Sequence, residues 1–501
     1  MFYTEYDYET TSHKTTNDVS SILYDYDNKT KGLMYQYTYD ANGNIATSVE
    51  RSYDKGTGGL PTNSSYSKSS YTYDSLNQLT QITDDSQKEK TKIRYDNAGN
   101  ITKVQVYNSS TNALKKTNTY GYDTTWKDKL TSYNGETITY DGIGNPLKYR
   151  NGMTMQWKNG RQLSQVKTSK DTITYKYNIK GLRTRKYNSD YTYYYYYDDN
   201  NNLIAMMQGG VVAYFYYDSN NSVTAMSIND TMYYYIKNLQ GDITKIVNHQ
   251  GKVMVEYTYD AWGNILKEKS NVSPSYATVK EFNPFRYRGY VYDTDTGLYY
   301  LQSRYYDPKT GRFINADDTA YVDTNSGTPL STNMFAYCEN NTIRGYDPSG
   351  YYNIACFNCY AYSCGIYNKW MHPGKGIVDV RGKYGYEMPY SYSVNDVQRW
   401  VIKDFNKQVR KISGKNSKIK KNEYRIAFRV RLFIGPLQPG KKRHTYDFHF
   451  MKQDPKTGIW YDKPGNTNIR YLGKINPNLS KNWSRYNSKT LYLAIRKKFS
   501  K

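Results

Sequence analysis

The sequence predicts an all-β region of stacked β-hairpins over its first 350 residues, followed by a small α+β domain over residues 351–501. Three observations carry this. A short Tyr-Asp turn phrase recurs along the first part of the chain. Tyrosine dominates the aromatic residues, with 62 Tyr against 13 Phe and 7 Trp. The charge then changes abruptly: residues 351–501 hold 31 Lys+Arg and 8 Asp+Glu, against 38 and 37 for residues 1–350. A single hydrophobic core rarely grows to 501 residues, so at least two units are expected. The mean hydropathy of −0.90 would suit a disordered chain only if aromatic and β-branched residues were scarce, and here they are abundant.

The repeat phrase is an alternating strand ending in Tyr-Asp, a Gly/Asn turn, and an apolar residue that opens the next strand. It reads YTYDANGNI at Tyr37–Ile45, IRYDNAGNI at Ile93–Ile101, ITYDGIGNP at Ile138–Pro146 and YTYDAWGNI at Tyr257–Ile265. Looser copies occur at Tyr71–Leu79, Tyr195–Leu203 and Phe215–Val223. Many copies lie roughly twenty residues apart, the mark of a repeat architecture. Alternation puts Tyr37 and Tyr39 on one face, with the tyrosine hydroxyls expected to stay wet. Gly43, with Asn42 and Asn44, is expected to supply the positive-φ positions of a tight hairpin turn. One hairpin is unstable alone, so the copies must stack edge to edge. Tyr193–Tyr197 fits a strand with rings on both faces.

These phrases resemble the YD repeats of RHS proteins, teneurins and insecticidal toxin-complex proteins. FNPFRYRGYVYDTDTGLYYLQSRYYDPKTGRFINADD at Phe282–Asp318, NMFAYCENN at Asn333–Asn341 and YDPSG at Tyr346–Gly350 resemble the RHS-associated core in family order. The resemblance divides the chain into repeats at 1–281, a core at 282–350 and a variable C-terminal domain at 351–501. It implies a β-sheet wound into a shell, with the core capping one end and the C-terminal segment enclosed. It also implies cleavage near Gly350 by paired carboxyls, one acid and one base, at Asp318 and Asp347. Tyr351 stands where that pattern has Leu, and Asn341-Thr342 where it has Asn-Pro. On turn chemistry alone, Asp347-Pro348-Ser349-Gly350 simply closes the core. The acidic phrase Tyr292–Gly297 offers alternating oxygens for calcium but lacks the distal glutamate of an EF-hand loop, and is read as a hairpin turn.

The tail opens with CFNCYAYSCGIYNKW at Cys356–Trp370. Ser393, with Asp396 three residues on, is the N-cap expected of a helix over 391–412, with Val394, Val397, Val401, Phe405, Val409 and Ile412 at helical spacing. Glu423–Ile434 alternates as a half-buried strand. His444–Gln453 does the same, placing Asp447 and His449 on one face before a turn into IWYDKPG. A cysteine near a helix start with a much later strand histidine suits nucleophilic catalysis, because a helix N-terminus lowers the thiol pKa and imidazole takes its proton. Asn358–Tyr362, Tyr446–Phe450 and Trp460–Gly465 resemble a bacterial papain-like family with NCYAYA, DYHWYR and WSHKPG phrases. That resemblance makes Cys359 the nucleophile and His449 the base, with Asp462 or Asp447 orienting the ring; Asp462 stands where the family has His.

Other readings of the tail stay open. Cys356, Cys359, Cys364 and His372 form a chemically sound zinc set. His444 and His449 among many Lys and Arg suit a nuclease, since a basic domain is drawn to phosphate. A non-enzymatic adhesion protein or a degenerate remnant is the plainest alternative. No cofactor is expected. The family resemblance implies an immunity protein, a target-cell protein or nucleic acid, and an upstream RHS delivery module as partners. The N-terminus has no apolar signal region and no stretch of about 18 apolar residues occurs, so secretion or surface display would need an upstream part or a carrier.

Overall fold

The computed structural model describes residues 3–11, 14–26, 31–55, 61–218, 221–270, 274–317, 329–350, 371–372, 376–377, 394–405, 409–420, 423–430, 448–453, 455, 458, 460–462, 470–479 and 488–496. The chain forms two compact units, Met1–Val322 with Thr328–Asn353, and Asp323–Gly327 with Ile354–Lys501. The described residues are mostly β, in long antiparallel sheets with little helix.

In the first unit an eleven-stranded sheet runs from Tyr3–Thr11 to Glu136–Thr137, and a fourteen-stranded sheet from Thr139–Tyr140 to Ile265–Ser270. Strands follow one another in sequence order, so each sheet is a meander of hairpins. The turn explains the repeat phrase. Asp40 Oδ1 accepts the backbone N–H groups of Asn42 at 2.8 Å and Asn44 at 2.9 Å, and its Oδ2 accepts the Asn44 side-chain amide at 2.9 Å. Asp96, Asp141 and Asp260 hold their turns in the same way. Gly43 has φ +85°, whereas Asn42 and Asn44 are not in the left-handed region. The expectation that these asparagines share the positive-φ work is therefore corrected: one glycine suffices, and Asn44 is there for its amide.

The tyrosine before the turn also departs from expectation in several phrases, because its hydroxyl is not left in water. Tyr73 donates to the Ile45 carbonyl at 2.8 Å, Tyr95 to Leu79 at 2.6 Å, Tyr122 to Ile101 at 2.8 Å and Tyr259 to Ile243 at 2.8 Å. Each acceptor opens the strand after an earlier turn, so the hydroxyl staples one repeat to another. Burial pushes Tyr122 up to about 12, and Tyr95 and Tyr259 well above the ordinary tyrosine value, which keeps them protonated donors. Tyr193–Tyr197 does present both faces: Tyr195 is buried, while Tyr194 and Tyr196 are exposed.

The first strands meet the last ones. Tyr24 donates to the Lys237 carbonyl at 2.8 Å, Tyr35 bonds Thr244 Oγ1 at 2.7 Å, and Tyr37 accepts the Leu239 N–H at 2.9 Å. Ile22, Leu33, Tyr35 and Ile45 share a buried cluster with Ile236, Val247, Trp262 and Ile343. A short helix at Pro274–Phe282 then interrupts the strands where only repeats were expected. Pro274 suits its first position, where no N–H is needed. Beyond it, Val291–Asp293, Leu298–Leu301, Arg304–Asp307 and Arg312–Phe313 form a four-stranded sheet.

In the second unit a helix covers Val394–Phe405, with Val394, Val397 and Val401 buried. Val409 and Ile412 are not its last turns; Val409–Ile412 is a strand paired with Leu491–Arg496. Positions three apart share a helix face but lie on opposite faces of a strand, so the local spacing points to helix, and the distant cross-strand partner overrides it. The six-stranded antiparallel sheet runs in the order Val409–Ile412, Leu491–Arg496, Glu423–Val430, Phe448–Gln453, Trp460–Asp462, Arg470–Gly473. Glu423–Val430 lies inside that order, and Ala427, Phe428 and Arg429 are all buried, so it is not the half-buried strand its alternation suggests.

Candidate functional site

The core segment docks against the repeats through charges buried on both sides. Arg183 is fully buried and grips Asp293 through Nη1–Oδ2 at 2.5 Å and Nη2–Oδ1 at 3.0 Å. Lys186 reaches Asp295 at 2.9 Å and Asp293 at 3.7 Å. Arg150 grips Asp307 through Nε–Oδ2 at 2.5 Å and Nη2–Oδ1 at 2.8 Å. The carboxylates of the acidic phrase thus serve ion pairs with repeat strands. Gly297, at φ +71°, donates to the Asp293 carbonyl at 2.8 Å, closing the hairpin between Val291–Asp293 and Leu298–Leu301. Among the described residues no His, Cys, Asp or Glu group could hold a metal ion.

Asparagines of the core read the repeat turns. Asn341 donates to Asn44 Oδ1 at 2.9 Å, Asn340 to Gln78 Oε1 at 2.9 Å, and Asn333 to Asn100 Oδ1 at 2.8 Å. The last Asn or Gln of a turn phrase therefore faces two ways: inward to its own aspartate, and across to the core. Cys338, beside them, is buried.

The core ends in a clamp. Asp347 Oδ1 accepts the Gly350 N–H at 2.9 Å and the Ser349 N–H at 3.3 Å. The Asp347 N–H donates to Tyr290 Oη at 2.6 Å, and Tyr290 bonds the Tyr337 hydroxyl at 2.9 Å. Ser303 Oγ donates to the Ser349 carbonyl at 2.7 Å, and Arg304 Nε donates to the Gly350 carbonyl. The Arg304 guanidinium lies 3.0 Å from Asp317 Oδ2, 3.4 Å from Asp347 Oδ2, and over the Phe313 ring at 3.5 Å. Asp318, the expected partner of Asp347, lies outside the described residues; Asp317 is the carboxylate that shares Arg304 with it. Sequence reasoning missed Arg150, Arg183 and Arg304, because a lone arginine carries no signal until its partner is known, and the partners of Arg150 and Arg183 lie 157 and 110 residues away.

In the tail, Cys356, Cys359, Cys364, His444 and Asp447 lie outside the described residues. His372 is in the short strand Met371–His372, paired with Gly376–Ile377. His449 is buried at 3 % exposure in Phe448–Gln453, directly opposite Arg429. Asp462 pairs with Met451 in the next strand, so it takes the same face as His449, two positions along. Arg429 was not picked out from the sequence, where it reads as one of several alternating cations.

Tyr-Asp hairpins in two meanders, docked against a folded core segment, define a YD-repeat protein with an RHS-type core. The teneurin YD-shell model matches residues 59–343, more than half the chain, and the chain belongs to that family. It is 35 % identical over 231 residues to the tRNA nuclease WapA of Bacillus subtilis, and 33 % identical over 231 residues to the tRNA3(Ser)-specific nuclease WapA of Bacillus spizizenii. Each match covers 45 % of this chain and 10 % of the relative, so the chain spans about a tenth of the length of these relatives. It is also similar to the toxin subunit YenC2 of Yersinia entomophaga, 32 % identical over 125 residues, covering 25 % of this chain and 11 % of that one. In fold it is similar to the Photorhabdus luminescens Tc holotoxin pore, at a TM-score of 0.53 and 20 % identity over 70 % of this chain and 18 % of that one. The chain thus carries the RHS/YD-repeat core found in bacterial polymorphic toxins.

Proposed function

We propose that this chain is the C-terminal part of an RHS-repeat polymorphic toxin, in which the β-shell encloses or delivers a small α+β effector at residues 351–501. One observation carries the reading: the core's last segment, Asp347–Gly350, is held by Tyr290, Ser303 and Arg304 directly before the chain turns strongly basic. The toxin acts as a secreted or surface-displayed protein, meets an immunity protein in its producer, and attacks a macromolecule of the target cell.

The effector is a papain-like cysteine peptidase with Cys359 as nucleophile, His449 as base, and Asp462 or Asp447 orienting the imidazole. The shared sheet face of His449 and Asp462 supports this. A nuclease is the second reading, favoured by the tail's 31 Lys+Arg against 8 Asp+Glu and by the WapA relatives being tRNA nucleases. Inducible expression of the full chain in a bacterial host separates the two. The peptidase reading expects growth inhibition that Cys359→Ala and His449→Ala each abolish, with cellular RNA intact. Toxicity that survives Cys359→Ala, is lost in His444→Ala and comes with degraded tRNA refutes it in favour of the nuclease.

A further inference from the structure

In the second unit, Val409–Ile412 and Glu423–Val430 pair antiparallel with Leu491–Arg496, one on either side of it. They therefore run parallel to each other, and the chain between them must cross a face of the sheet. The register shows which face. Arg410 and Arg425 both stand opposite Ala494, so the three form one row on one face. Each arginine grips the crossing segment by a backbone carbonyl: Arg410 Nη2 donates to the Lys418 carbonyl at 3.1 Å, and Arg425 Nε to the Ser417 carbonyl at 3.2 Å. Ala494, small and fully buried, lies between them.

The crossing segment is fixed along its length. The Gly414 N–H donates to Ser417 Oγ at 2.9 Å, the Ser417 N–H to the Gly414 carbonyl at 3.1 Å, and the Lys420 N–H to Glu423 Oε2 at 2.9 Å. Glu423 is the one carboxylate of residues 409–430; it is buried and held by Arg410 at 2.7 and 3.1 Å. Arg425 Nη1 goes to a neutral acceptor, Gln453 Oε1, at 2.9 Å. Its guanidinium stays charged even though burial lowers it. Lys415, Lys418 and Lys420 are thus carried on a fixed backbone above a cation, with Lys418 and Lys420 exposed and Lys415 half-buried.

We propose that this crossing segment, residues 413–420, is the surface on which the second unit docks RNA, with Lys415, Lys418 and Lys420 neutralising backbone phosphates. The inference rests on the nuclease reading and deepens it, by giving that activity a place to hold its substrate. Like charges on a fixed backbone repel one another, so the arrangement works against stability until a polyanion covers it. Composition separates the occupants. Protein interfaces are depleted in Lys and anchored by Tyr, Trp and Phe, whereas residues 413–420 hold three lysines and no aromatic residue. Nucleic-acid interfaces are polar and strongly positive, as this surface is.

The test is fluorescence anisotropy of the full chain with a fully ribose-methylated RNA hairpin, which resists cleavage, over a salt series. Each phosphate contact contributes about 0.7–0.9 to the slope of log K against log salt. The triple variant Lys415→Gln, Lys418→Gln, Lys420→Gln should therefore flatten the slope by about 2–3. The control is Lys148→Gln, Lys158→Gln, Lys180→Gln, three exposed lysines of the first unit, which alters net charge equally and should leave the slope unchanged. A wild-type chain that binds no RNA at low salt overturns the inference. So does equal flattening in the two variants, since net charge alone then explains binding. Competition by polyglutamate as strong, charge for charge, as by unlabelled RNA also overturns it, and makes the partner an acidic protein. If the slope flattens as expected while toxicity leaves cellular tRNA intact, the nuclease reading alone fails. If tRNA is degraded while the triple lysine variant of residues 413–420 keeps the wild-type slope, this inference alone fails.

Discussion

Replacing Arg183 by Met is the sharpest test of how the core is held. Arg183 is fully buried, with Asp293 at 1 % exposure, two hydrogen bonds of 2.5 and 3.0 Å joining them, and the Tyr175, Tyr195 and Tyr300 rings 5.2, 5.0 and 4.5 Å from its guanidinium carbon. Methionine keeps much of the volume and the contact with the rings, so the loss is chiefly electrostatic. Removing one partner of a buried pair costs about 3–5 kcal/mol, because the other charge is left desolvated. Lys186, 3.7 Å from Asp293, stays behind and partly compensates, which places Arg183→Met near the lower end, about 3 kcal/mol. The reference is Glu89→Gln, which breaks the Lys115 pair at 39 % and 37 % exposure and should cost less than about 1 kcal/mol. Both are read from denaturant unfolding of the full chain, with the first unit followed by pulse proteolysis. Adding Asp293→Asn to Arg183→Met should cost less than the two singles together, by about 1–3 kcal/mol. An Arg183→Met loss no larger than that of Glu89→Gln would refute the reasoning.

Gly350→Ala should destabilise the core well beyond Gly135→Ala. Both glycines have positive φ, but a Cβ at Gly350 would meet the Leu301 carbonyl at 2.6 Å, Ser303 Oγ at 2.6 Å and the Arg304 nitrogen at 2.9 Å, whereas at Gly135 it meets nothing within 4 Å. Equal unfolding midpoints for the two would count against the clamp. Glu50→Gln should stabilise the chain at pH 7. Burial raises the Glu50 carboxyl above its ordinary 4.5, with Lys245 opposing and Glu256 reinforcing, so its ionisation takes stability away as pH climbs past that value. The gain should vanish at pH 4; a midpoint that falls at pH 7 and is restored at pH 4 contradicts it. Intact-mass spectrometry of the purified chain should find one species. Asp347 Oδ1 is engaged by its own turn, and a fragment running from Tyr351 to Lys501 would restore Asp347 as a cleaving carboxyl.

The hairpins were legible because each turn carries its own chemistry within five residues, Asp40 to Asn44 being the type. The core was legible as ordered phrases. What holds the core was not, since the Arg183–Asp293 partners lie 110 residues apart and the Asn341–Asn44 partners 297. Local periodicity also misled at Val409 and Ile412, whose place was decided by the distant strand Leu491–Arg496. In the tail, a histidine and an aspartate named from short phrases fall on one sheet face, while Arg429, directly opposite that histidine, carries no sequence mark of its own.

A meander of near-identical hairpins poses a problem of register for whatever docks on it. Apolar and tyrosine contacts recur in one repeat after another, so a core held by them alone would fit nearly as well one repeat further along. Arg183 and Arg150 break that degeneracy. Each lies in a single place on the repeats, at 0 % and 7 % side-chain exposure, and each meets one carboxylate of the core. Slipping by a repeat would leave two cations and two carboxylates buried without partners, at several kcal/mol per ion, against little change in apolar burial. The pairs therefore select a position more than they add stability. The double variant of Arg183 and Asp293 is where this shows: its unfolding midpoint falls less than the two singles together would lower it, yet its core, freed from that selection, should give broadened or doubled NMR signals at Leu298–Leu301.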